Sequence, residues 1–128
     1  MKTAIVTSKS SLNHNTGSGH PESIARVTSI IETLKKNKKL IWKSPTNYNK
    51  DIIKKTHSST YVDTVENAFP KEGLVFLDGD TVVSPGSKDA TFDAVGSIIS
   101  AIDGIENKEF NAAHCVTRPP GFSRLSNI

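Results

Sequence analysis

A chain of 128 residues with 35% hydrophobic and 23% charged side chains has room for one domain, spanning 1–128, and one modest core. Its net charge of +3 is too small to name nucleic acid as a partner, and no apolar run reaches the length that spans a bilayer. The single cysteine, Cys115, excludes a disulfide framework within the chain and fits a reducing, cytoplasmic setting.

Thr3–Thr7 is short, β-branched and apolar, the pattern of a buried first strand. Residues 8–19 are rich in Ser, Asn, Gly and Thr and read as a loop with nothing to bury. The loop carries His14 and leads into His20-Pro21-Glu22. Pro21 suits the first turn of a helix, where a missing N–H is no loss. Ile24, Val27, Ile30, Ile31 and Leu34 follow at helical spacing, which predicts an amphipathic helix over residues 21–36, packed on a sheet. Arg26 falls early in that helix, beside the loop, and by itself reads as polar and outward. The lysines of residues 35–39 stand at the carboxyl end of the helix, where cations oppose the dipole.

Residues 40–42 read as a second strand, stopped by Ser44-Pro45, and residues 51–55 as one or two helical turns. Another helix opens at His57 with Ser58 or Ser59 as N-cap, an apolar face of Tyr61, Val62, Val65 and Phe69, and Pro70 as its stop. Residues 74–85 read as a loop in which apolar and acidic side chains mix. Its Asp78-Gly79-Asp80 bend either binds a cation or cationic substrate, or caps its own backbone. A long helix over residues 87–105 is predicted to pack through Ala90, Ala94, Val95, Ile98, Ile99 and Ile102, with Ser84 or Ser87 as cap.

Ala112–Val116 reads as the last strand, with Cys115 as a small buried hydrophobe. Arg118-Pro119-Pro120-Gly121 ends it: proline fixes φ and lacks an N–H, and glycine frees the backbone again. A strand ending this way delivers the next residues to the carboxyl edge of a sheet, where open α/β folds hold their chemistry. The order of elements predicts an α/β fold, a parallel sheet of about three strands flanked by helices.

Three stretches now stand in register. They are Asn15-Thr16-Gly17-Ser18-Gly19-His20-Pro21-Glu22 with Arg26, then residues 77–87 (LDGDTVVSPGS), then Arg118-Pro119-Pro120-Gly121. Together they resemble the amino-terminal part of the zinc-dependent histone deacetylase superfamily, which includes acetoin-utilisation proteins and acetylpolyamine amidohydrolases. The class II-like branch is the most similar. His57 with Tyr61 fits the same family's helix opening. The resemblance implies a partial arginase/deacetylase-like three-layer fold and an ancestry in zinc-dependent hydrolysis of acetyl-lysine or acetylpolyamine amides. It also implies that His20, Pro21 and Glu22 form one wall of the active-site mouth. Arg26 matches an arginine beside an internal channel, Asp78 and Asp80 shape the substrate rim, and Arg118, Pro119, Pro120 and Gly121 lead to the catalytic histidine pair.

That pair is replaced here by Phe122 and Ser123. Phenylalanine exchanges no proton, and serine without a base is a poor nucleophile. The family's metal ligands are expected beyond Ile128. The four histidines present lack compact metal-site spacing, so no metal and no cofactor is expected in this chain, whereas the complete family uses zinc. Residues 122–128 then form a divergent tail, produced by a frame change, a premature stop or an internal deletion. The expected protein is catalytically inactive. It either has no activity of its own or is a module that keeps the rim loops and binds an acetylated amine. A strand edge left bare by missing neighbours predicts a homo-oligomer.

Overall fold

The computed structural model describes residues 1–46 and 49–120. In chain order the elements are β1 (Thr3–Thr7), α1 (Ile24–Leu34), β2 (Ile41–Lys43), α2 (Ser59–Ala68), β3 (Val75–Phe76), β4 (Val82–Val83), α3 (Ser87–Glu106) and β5 (Ala112–Val116). Two 3₁₀ turns, Lys9–Leu12 and Lys50–Lys55, sit in the connections.

β1 is the middle strand of a parallel sheet ordered β2-β1-β5. Its alternation explains the layers. Ile5 points to one face, where it packs with Val116 against Val27 of α1, and Ile31, Leu34 and Leu40 close that core. Ala4 and Val6 point to the other face. Cys115, the register partner of Val6, donates to the Ser97 carbonyl of α3 at 3.5 Å. Helices on both faces of a parallel sheet give the expected three-layer α/β arrangement.

Several expectations are corrected. Residues 8–19 do bury side chains: Ser11, His14 and Thr16 are all inside. Polar composition masked this, because those side chains are buried through hydrogen bonds. Pro21 precedes the helix rather than opening it; α1 begins at Ile24 after Ser23, and Ile24 and Ile30 stay exposed. Residues 74–85 are not a plain loop. Val75 and Phe76 pair antiparallel with Val83 and Val82, and the Leu77 N–H donates to the Thr81 carbonyl at 2.8 Å. Neither serine caps α3: its N-cap position is Gly86, without a side-chain cap bond.

The largest correction concerns α3. It meets the sheet through small residues (Ala90, Ser97, Ala101 and Gly104), while Ile98 is 56% and Ile102 55% exposed. Small side chains let the helix axis come close. A Cβ at Gly104 would lie 2.1 Å from Cζ of Phe110, which is buried beneath the last turn. The isoleucines are left on the flank. α2 likewise buries no residue fully.

Candidate functional site

The loops after β1 and β5 and the hairpin before α3 converge at the carboxyl ends of the strands, the edge at which open α/β sheets hold their ligands. They surround a cleft of about 430 Å³. His20, Pro21, Glu22, Asp78, Asp80, Pro119 and Pro120 line it. Arg26 and Arg118 are not among the lining residues. Gly121, Phe122 and Ser123 lie outside the described residues.

Arg118 stands behind the wall. Its side chain is wholly buried, and all five guanidinium N–H groups have acceptors. Nε donates to Glu22 Oε1 at 2.8 Å and one terminal nitrogen to Glu22 Oε2 at 2.9 Å, a two-pronged pair. The same nitrogen reaches the Glu22 carbonyl at 3.1 Å, and the other donates to the Ser11 and His14 carbonyls at 3.0 and 2.7 Å. The loop of residues 8–22 is therefore moulded around one cation. The Arg118–Pro119 peptide is cis.

Glu22 is fully engaged. Besides Arg118 it accepts from Arg26 at 3.1 Å, and Arg26 is otherwise turned to solvent with 55% of its side chain exposed. The third neighbour of Glu22 is His14, whose Nε2 faces Oε2 at 3.5 Å. His14 Nδ1 meets Ser87 Oγ at 2.7 Å, and Ser87 Oγ also accepts the Ser84 N–H at 2.7 Å. Both bonds are satisfied when Ser87 donates to Nδ1 and the imidazole proton sits on Nε2 toward the carboxylate. Burial holds the His14 pKa below its ordinary value and the nearby Arg118 charge lowers it further; Glu22 opposes both, and His20 adds a smaller lowering.

At the rim the two acids differ. Asp78 spends its carboxylate on the bend: Oδ1 accepts the N–H groups of Asp80 and Thr81, each at 2.8 Å, and Oδ2 the Thr81 hydroxyl at 3.0 Å. The bond from the Asp80 N–H, aided by the Thr81 hydroxyl, holds its pKa below the usual carboxylate range. Asp78 thus realises the backbone-capping alternative. Asp80 is 94% exposed, with His20 Nε2 at 3.7 Å from its Oδ1 and 3.1 Å from its carbonyl oxygen. His20 Nδ1 accepts the Glu22 N–H at 3.1 Å, so its Nε2 proton points to Asp80. Tyr61, tilted against His57 at 5.2 Å between ring centroids, faces the cleft from α2. Cys115 is half-buried rather than buried, and desolvation pushes its thiol pKa up, away from nucleophilic character.

His14, Ser87 and Tyr61 escaped the sequence-based site. His14 and Ser87 are 73 residues apart, and no local pattern joins them. A signal did exist for Arg118: a cation at the end of an uncharged strand is buried only with a partner, and the first motif supplied Glu22.

A parallel three-layer sheet with a cleft at its strand ends places the molecule in the arginase/deacetylase fold class. The histone deacetylase domain model matches residues 20–122. The chain belongs to the histone deacetylase family. It is 35% identical over 130 residues to the uncharacterized protein slr0245 of Synechocystis sp., an alignment covering 97% of this chain and 42% of that protein. It is 28% identical over 126 residues to a probable deacetylase of Archaeoglobus fulgidus, covering 94% of this chain and 34% of that protein. The HD domain of HDA15 superposes with a TM-score of 0.83 at 21% identity, over 94% of this chain and 36% of that one. The chain thus spans about two-fifths or less of the length of the relatives it matches.

Proposed function

We propose that the cleft recognises an acetylated amine, such as acetyl-lysine or an acetylpolyamine, and that these 128 residues do not hydrolyse it by themselves. The observation that carries the binding reading is the Asp80 carboxylate. It is 94% exposed at the rim, with only His20 Nε2 near it at 3.7 Å, while its neighbour Asp78 is consumed by the turn. Below it, Tyr61, Leu77, Pro119 and Pro120 give the cleft apolar surface for an aliphatic chain.

The inactivity reading rests on Phe122 and Ser123, which stand where the resemblance puts the proton-transferring histidines. The family's zinc activates water and polarises the amide carbonyl. Among the described residues, no group of three or more His, Cys, Asp or Glu is placed to hold a metal ion. The residues described do not fit the metal, and the Glu22 carboxylate, which lines the cleft, is engaged by Arg118 and Arg26. No helix among them is long and apolar enough to cross a membrane, and a cytoplasmic setting suits a lone thiol.

Calorimetric titration with an acetyl-lysine peptide and an acetylpolyamine checks the first half. Saturable binding that Asp80→Ala removes is the expected result, and a flat titration eliminates the reading. For the second half, the purified chain is given zinc and an acetyl-lysine reporter. Turnover abolished by a chelator overturns it.

A further inference from the structure

We propose that His20 is a positioning residue: it clasps the tip of the β3–β4 hairpin to the wall of residues 8–22 and so sets where the Asp80 carboxylate stands over the cleft. Its effect on binding rests on the reading of Asp80 as the anchor of an amine ligand; the clasp itself rests on the fold alone.

The imidazole has both nitrogens in use, one on each wall. Nδ1 accepts the Glu22 N–H at 3.1 Å, which leaves the ring proton to Nε2, and Nε2 donates to the Asp80 carbonyl oxygen at 3.1 Å. The side chain is only 16% exposed, so water competes poorly for either bond. On the side of residues 8–22 the ring is held firmly. Glu22, its partner there, has its carboxylate and its carbonyl fixed by the buried Arg118.

On the hairpin side the tip lacks a comparable anchor. Asp78 accepts the Asp80 and Thr81 N–H groups, and the Leu77 N–H reaches the Thr81 carbonyl, so residues 77–81 are stiff within themselves. Among the described residues, those bonds stay inside the hairpin, and His20 makes the one hydrogen bond that leaves the tip. The strands that carry the tip have two residues each. Further down, Val82 and Val83 are buried, and Leu74 lies against Gly17, where an added Cβ would stand 3.3 Å from its Cδ1. A unit that is rigid inside, carried on two short strands and tied at one point moves as a body when the tie is lost. Asp80 moves with it, since its Oδ1 is placed 3.7 Å from the same Nε2.

The tie also selects the residue. It asks for one acceptor and one donor on a short planar group, which a neutral imidazole has and a carboxamide reproduces. Phenylalanine is planar too and has neither.

Nitrogen NMR of the imidazole gives the first test, without any substitution. His20 should carry its proton on Nε2 at pH 8, and a proton on Nδ1 would overturn the clasp. Hydrogen exchange on His20→Phe and His20→Gln gives the second. His20→Phe should speed exchange about fivefold or more at Leu77, Asp80 and Thr81, whose acceptors lie inside the hairpin, as well as at Glu22. A merely local role would free the Glu22 amide and leave the other three unchanged, and that pattern overturns the proposal. His20→Gln should return the rates to near those of the unsubstituted chain. In calorimetric titration with an acetylpolyamine, affinity should fall about 5- to 10-fold in His20→Phe and recover in His20→Gln. Equal affinity in all three forms would overturn the positioning of Asp80. A flat titration of the unsubstituted chain removes the ligand reading instead, and the exchange rates then decide the clasp by themselves.

Discussion

The two walls of the cleft are built by opposite means. The wall of residues 8–22 has almost no apolar content and is fixed by one buried arginine whose five donors all find acceptors. The facing wall, α2 with the β3–β4 hairpin, is apolar yet shallow. Val82 and Val83 anchor it, but Phe76 is 67% exposed and α2 has no fully buried residue. A two-stranded hairpin this short is marginal by itself. The contrast teaches that a polar segment can be the stiffer side of a site, because its few contacts are charge-assisted and desolvated. The apolar side opens at lower local cost.

The sharpest way to break this comparison is Arg118→Met. It leaves the Glu22 carboxylate and three carbonyls without their donor, and urea unfolding should show a loss of about 3–5 kcal/mol. Arg118→Lys should recover little, since an ammonium offers three donors and no planar fork. Next comes Gly86→Ala, where the added Cβ would sit 2.2 Å from the Asn13 carbonyl oxygen, a backbone atom of the rigid wall. About 1–3 kcal/mol should be lost.

A graded effect should follow pH. The folded His14 pKa lies below its unfolded value, so the unfolded chain binds the proton more readily. Stability from this group is complete above about pH 6.5 and declines as pH falls through the folded value. Thermal melts from pH 7.5 to 5 should show that decline, and His14→Gln should lessen it. The smallest effect belongs to the loose wall: Phe76→Ser should shift stability by no more than about 0.5 kcal/mol. A Phe76 loss larger than that of Arg118 would reverse the assignment of stiff and soft sides.

The backbone plan was legible because strands and helices announce themselves by local period. Thr3–Thr7, Ala112–Val116 and the Ser58 cap of α2 stand where the pattern put them, the last with Ser58 Oγ accepting the Tyr61 N–H at 3.2 Å. What stayed hidden depends on partners distant in sequence. Nothing near Ser11 says that it is buried, because its partner is Arg118, 107 residues further on. The period of α3 marked an apolar arc, but the helix turns mostly small residues outside that arc, Ser97, Ala101 and Gly104, toward the sheet. That was decided by close approach at Gly104. The rim acids could be found, and their division of labour could not, since it turns on which carboxylate the bend of residues 78–81 consumes.

Glu22 and Arg118 are 96 residues apart. A ribosome adding about 5–20 residues per second needs roughly 5–20 s to travel from one to the other. Through that interval the nascent loop has a carboxylate but no counter-charge, and water must fill the place of the guanidinium. The binding wall is therefore among the last parts of the nascent chain to set, although its residues are among the first to be made.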